Sequence, residues 1–114
     1  MHELSITQSI LEIALRHARQ ANATRITHLY LVVGQLASIV DDSVQFYWDT
    51  ISQGTLAEGA RLHFRRIPAE LACLDCSHQY VYGQDDPACP KCGSLRIKVV
   101  KGEEFYVESI EVET

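Results

Sequence analysis

The sequence predicts an α/β (α+β) two-layer domain, two helices on a three-stranded sheet, with an inserted four-cysteine zinc-ribbon-like module. Three observations lead there. Apolar residues recur at helical spacing in two segments. Three other segments alternate, or are rich in β-branched and aromatic residues. All four cysteines of the 114-residue chain fall between the second and third of these strands. The cysteine segment is therefore an insertion between two strands, which are expected to pair antiparallel with the module at their shared end. The corresponding domains are residues 1–69 with 103–114, and residues 70–102.

In the first helix Leu4, Ile6, Ile10, Leu11, Ile13, Ala14, Leu15 and Ala18 follow a 3.6-residue period up to about Ala21. Ser5 and Gln8 have capping-box spacing, although a start one or two residues earlier is compatible. Arg25 to Val33 reads as the first strand and stops at Gly34. Asp41-Asp42-Ser43 is an N-cap cluster, with Asp42 and Gln45 spaced as a second capping box. Val44, Tyr47, Trp48 and Ile51 then share one face of the second helix, which ends near Gly54. Arg61 to Ile67 alternates and is closed by Pro68, and Glu104 to Val112 reads as the last strand.

Composition narrows the function classes. A hydrophobic content of 46% with 22% charged residues is that of a soluble globular protein. No apolar run approaches the roughly 20 residues that span a bilayer. The start Met1-His2-Glu3-Leu4 lacks the pattern of a secretory signal, so the expected location is the cytoplasm, where thiols stay reduced. A net charge of −5 argues against a nucleic-acid partner. The cysteine segment is no basic platform either. Lys91, Arg96, Lys98 and Lys101 are balanced there by Glu70, Asp75, Asp85 and Asp86.

Cys73, Cys76, Cys89 and Cys92 form two Cys-x-x-Cys pairs with twelve residues between them. Each pair lets one tight turn aim two sulfurs at a point, and two turns supply four soft ligands to a tetrahedral Zn(II). Pro90 and Gly93 suit the second turn. Four thiolates close the shell, which makes the zinc structural. Two disulfides or a thioredoxin-like redox pair are the rival readings of the same cysteines. About 33 residues around them cannot build a core alone, so metal must supply most of that segment's folding free energy.

The amino terminus is the other place with metal-ligand chemistry. Methionine is normally retained before a residue as large as histidine. The Met1 amine, the deprotonated His2 amide and the His2 imidazole can then close fused chelate rings around one ion. The Glu3 backbone nitrogen or its carboxylate is available as a fourth donor. Such nitrogen-rich, near-planar coordination suits Ni(II) or Cu(II). The plain alternative is a frayed terminus with a solvated histidine. His78, two residues after Cys76, is either near the zinc shell, as a supporting or exchanging ligand, or a solvated loop residue. His17, His28 and His63 have no ligand spacing and read as structural or solvated. No nucleophile–base pair, phosphate loop or carboxylate dyad stands out, which argues against an enzyme. The alternative function is a zinc-ribbon adaptor that binds nucleic acid or protein.

Taken together, Met1-His2-Glu3-Leu4-Ser5, Val33-Gly34-Gln35-Leu36, Thr55-Leu56-Ala57-Glu58-Gly59-Ala60, Cys89-Pro90-Lys91-Cys92-Gly93 and Ser109-Ile110-Glu111-Val112-Glu113 resemble the HypA/HybF family along the whole chain. The resemblance implies a nickel metallochaperone of [NiFe]-hydrogenase maturation, and in some organisms of urease. It implies Ni(II) as cargo at His2 and the amino terminus with help from Glu3, and structural zinc on the four cysteines. It also implies two partners, the GTPase HypB and the hydrogenase large-subunit precursor, with neither nucleic acid nor membrane involved. Some members carry histidines flanking both cysteine pairs. Here only His78 is present and none follows Cys92, a departure that weighs against full exchange of zinc ligands. Monomer and homodimer are both compatible with the sequence.

Overall fold

The computed structural model describes residues 3–83 and 86–114. Its elements are α1 (Glu3–Gln20), β1 (Arg25–Gly34), α2 (Asp41–Ile51), β2 (Arg61–Ile67), β3 (Glu70–Cys73), β4 (Gln79–Val81), β5 (Ile97–Lys101) and β6 (Phe105–Glu113). They form two compact units. One takes the chain up to Val32, Ser38–Arg65 and Phe105–Thr114; the other takes Val33–Ala37 and Arg66–Glu104.

In the first unit, α1 buries Thr7, Ile10, Leu11, Ala14, Leu15 and Ala18, one stripe at helical spacing. The helix ends where Asn22 takes a left-handed φ of 56° and the Ala23 N–H reaches back to the Ala18 carbonyl at 2.9 Å. That is a Schellman closure, with asparagine in the place glycine usually fills. α1 packs on α2 and on β6. The start of α2 departs from the expected capping box. Its N-cap is Val40, in extended conformation without a side-chain cap bond, so Asp41 and Asp42 lie inside the first turn. There their charges still favour the helix dipole. Gln45, released from capping, donates to Asp49 at 2.8 Å.

The sheet order is β2-β1-β6, which corrects one expectation. β2 and β6, the strands flanking the cysteine segment, do not pair with each other, because β1 lies between them. Its Leu29, Leu31, Val32 and Val33 are wholly buried, and a strand so apolar belongs at the centre rather than at an edge. β6 runs antiparallel to β1: the Thr24 N–H meets the Glu113 carbonyl at one end, and the Gly34 N–H the Glu104 carbonyl at the other. β2 runs parallel to β1, with α2 in the crossover. His63 lies beside His28 and Tyr30, and further along the Gln35 N–H meets the Ile67 carbonyl. Trp48, Val44, Ile26, Leu62 and Ala57 complete the core.

The second unit is a small antiparallel sheet in the order β4-β3-β5. Leu71 pairs with Tyr80 on one side and Val99 on the other, and Cys73 with Ile97. The segment Val33–Ala37 reaches this sheet by close backbone approach. A Cβ on Gly34 would stand 2.1 Å from the Gly102 carbonyl oxygen. Gly102 in turn has a φ of 126° and leaves no room for a Cβ against Ala69. The Leu36 N–H donates to the Gly102 carbonyl at 2.7 Å, and the Gln35 side-chain oxygen accepts from the Ala69 N–H at 2.8 Å. Gly34 and Gln35 of the Val33-Gly34-Gln35-Leu36 motif are therefore backbone-docking residues.

Candidate metal sites

The two cysteine turns are built alike. The Cys73 N–H donates to the His78 carbonyl and the Ser77 N–H to the Cys73 carbonyl; the Cys89 N–H donates to the Ser94 carbonyl and the Gly93 N–H to the Cys89 carbonyl. The fifth residue of each turn has a left-handed φ, 64° at Ser77 and 76° at Gly93. Two residues after the leading cysteine, a backbone N–H points at its sulfur: Asp75 to Cys73 Sγ and Lys91 to Cys89 Sγ, both at 3.4 Å. The turns are joined across their outer side. Ser94 and Arg96 both donate to the Asp75 carboxylate, and the Leu74 N–H meets the Arg96 carbonyl at 2.7 Å.

This arrangement brings all four sulfurs within 4.8 Å of one another. Cys73 Sγ lies 3.6 Å from Cys92 Sγ, and Cys76 Sγ 3.6 Å from Cys89 Sγ. A tetrahedron with metal–sulfur bonds of about 2.3 Å has edges of about 3.8 Å, whereas a disulfide needs about 2.05 Å. The spacing fits one metal ion and not two disulfides. The leading cysteines are buried and their partners Cys76 and Cys92 exposed, so the cluster has a protected and a solvent side.

Charge makes the same demand. Backbone N–H groups of Cys76 and Asp75, opposed by burial, bring the Cys73 thiol down to about 7. At Cys92 the Ser94 N–H favours the thiolate, but the bond with Cys73, burial, and the neighbouring Cys76 and Cys89 outweigh it and push the thiol up to about 12. One thiolate forms readily and the last resists, until a cation offsets the crowding of like charge.

Of the other sequence candidates, Met1 and His2 lie outside the described residues. Glu3 opens α1, and its carboxylate accepts from the Val40 N–H at 3.4 Å, at the start of α2. The His78 ring stacks on Tyr80, centroids 5.8 Å apart, and is not part of the four-sulfur group. Among the described residues that group is the one cluster of three or more metal-ligand side chains. No helix among them is long and apolar enough to cross a membrane. One contact escaped the sequence reading altogether. His28 and His63, 35 positions apart, place two ring nitrogens 2.9 Å from each other. Only the pairing of β1 with β2 brings them together, and no local spacing announces it.

Comparison with known proteins agrees along the whole chain. The family model described as "Hydrogenase/urease nickel incorporation, metallochaperone, hypA" matches residues 1–112. The hydrogenase maturation factor HypA of Dehalococcoides mccartyi is 46% identical over 113 residues, covering 99% of this chain and 95% of that protein. The hydrogenase maturation factor HybF of Escherichia coli is 40% identical over 113 residues, covering 99% and 100%. The solution structure of the Ni metallochaperone HypA from Helicobacter pylori aligns with a TM-score of 0.70 at 25% identity, covering 99% of this chain and 98% of that one.

Proposed function

The chain belongs to the HypA family of nickel metallochaperones, maturation factors rather than catalysts, and we propose on that basis how it divides two metals between two places. Zn(II) is held by Cys73, Cys76, Cys89 and Cys92 as a fixed scaffold within the zinc-binding domain of residues 70–102. Ni(II) is cargo, bound in the domain of residues 1–69 and 103–114 by the Met1 amine, the His2 amide and imidazole, and Glu3. The observation that carries this division is the closed shell of four sulfurs. A complete thiolate cage leaves no open position and holds its metal, whereas a chain terminus with one imidazole can be remodelled by whatever docks against it. The Glu3 carboxylate stands at the start of both helices, where it accepts from the Val40 N–H.

In the cytoplasm the nickel passes to the [NiFe]-hydrogenase large-subunit precursor, and to urease where the organism makes one, with the GTPase HypB as donor. Glu12, Arg16 and Arg19 are exposed on α1, directly after the nickel ligands, and form the surface such a donor meets.

Metal analysis of untagged protein tests the assignment. One zinc per chain and a tight nickel are expected. His2→Ala, or extra residues before Met1, should abolish the tight nickel and leave zinc and helix content unchanged. Nickel affinity should fall as pH drops through about 6.5, because protons compete for a neutral imidazole. Tight nickel retained by His2→Ala contradicts the N-terminal site. Charge reversal at Glu12, Arg16 and Arg19 should weaken capture by HypB without changing either metal count.

A further inference from the structure

We propose that His28 and His63 form a second, open Ni(II) site on the outer face of the β2-β1-β6 sheet. His28 Nδ1 and His63 Nε2 are 2.9 Å apart, with the rings tilted 34° to each other. If both nitrogens bind one ion at about 2.0–2.1 Å, this separation sets an angle of about 90° at the metal. A tetrahedral ion needs about 3.3–3.4 Å between ligand atoms, as its angle is about 109°. In the unmetalled pair 2.9 Å is a hydrogen-bond length. Once a small turn of the rings aims both lone pairs at one point, the same spacing suits the cis positions of an octahedral ion, a geometry of Ni(II) rather than of tetrahedral Zn(II).

The surroundings favour a metal over a packing role. His28 and Tyr30 alternate with Leu29 and Leu31, which are wholly buried, so the histidines stand on the face turned away from the core. Both rings are partly exposed, which leaves room for water on the remaining coordination positions. The Tyr30 ring stacks on His63, centroids 4.7 Å apart and planes 14° apart, and fixes its plane. The Tyr30 hydroxyl donates to Glu111 Oε1 at 2.6 Å, so Tyr30 is itself held in place and orients the ligand without binding metal.

The proton balance closes. In the unmetalled pair one ring donates its N–H to the bare nitrogen of the other. On binding, the donor ring passes that hydrogen to its own second nitrogen, which frees a lone pair while both rings stay neutral. Four waters, or waters with a partner's side chains, complete an octahedral, high-spin shell. Such a site gives and takes nickel more readily than a chelating terminus. Its use as a holding point for cargo rests on the function proposed above, but its coordination chemistry does not.

Nickel titration of the untagged, zinc-loaded chain separates the two readings. Wild type should take two Ni(II), one tight and one weaker. His28→Gln/His63→Gln should lose the weaker ion and keep the tight one. Either single change should weaken that site about tenfold or more, since a chelating partner is removed. His2→Ala should do the reverse, losing the tight ion and keeping the weaker. In His2→Ala, paramagnetic Ni(II) should broaden amide signals around residues 28, 63 and 30, a readout that stands even if the double variant folds poorly. An unchanged nickel count in a folded double variant, or broadening confined elsewhere, overturns the site. A His2→Ala count equal to wild type, with the double variant still losing one ion, leaves this site standing and removes the terminal one.

Discussion

The two units of the molecule are held by different forces. The first unit has a continuous apolar core in which Trp48, Ile26, Leu29, Leu31 and Val44 are wholly buried beneath the stripe of α1. The second buries little beyond Val33, Ala69, Leu71, Ala72 and two cysteines, while Leu74, Val81, Leu95, Val99 and Val100 stay exposed. Side chains of similar apolar character thus serve as core in one unit and surface in the other. A small three-stranded sheet with so little covered area needs a cross-link, and a shared metal is the one its sulfurs are arranged to accept. On the function proposed above, cohesion in this chain is divided: hydrophobic burial for the helices, ligation for the cysteine turns.

The sharpest way to break that contrast is to remove a ligand. Cys76→Ser should abolish stoichiometric zinc and the dispersed signals of β3, β4 and β5, yet leave the helical circular dichroism of α1 and α2 nearly unchanged. The next largest effect is expected on the other side of the comparison. Trp48→Ala empties the largest wholly buried side chain of the first unit and should lower its stability by about 3–5 kcal/mol in urea unfolding, with zinc content intact.

Smaller changes probe the backbone of the second unit. Gly34→Ala forces a Cβ onto the Gly102 carbonyl, a backbone atom that no rotamer change can move, so a loss of about 1–3 kcal/mol is expected. Faster amide hydrogen exchange at Leu36 would report it, as its bond to the Gly102 carbonyl must lengthen. Least of all, Gly93→Ala meets open space but keeps a φ of 76°, which a side chain tolerates at about 1–2 kcal/mol. Chelator competition should show it as several-fold easier zinc loss.

What the sequence made legible follows the same division. The α1 stripe, β1 and the cysteine ligand set declare themselves through period, apolar content and fixed spacing. The central place of β1 did not follow from a reading that let the flanking strands pair, although its run of Leu29, Leu31, Val32 and Val33 carried the signal. β3, β4 and β5 left no such trace: β3 is four residues ending in a buried run, and β4 and β5 are short and mostly exposed, so none of them alternates. The start of α2 misled in a different way. Asp42 and Gln45 have the spacing of a capping box, but the helix begins at Asp41, and only the backbone conformation of Val40 reveals it. His28 and His63 have no ligand spacing in the sequence, since their meeting depends on strand register alone.

The central claim is that metal ligation folds the cysteine unit while the helical unit folds on burial. Amide correlation spectra of the reduced protein before and after a strong zinc chelator test it residue by residue. Signals from Leu71, Cys73, Cys89 and Ile97 should collapse into the narrow range of unfolded chain, while those of Ile26, Leu29, Val44 and Trp48 stay dispersed, and added Zn(II) should restore the first set. Dispersed signals from the cysteine unit after complete zinc removal, or simultaneous loss of both sets, would contradict the account.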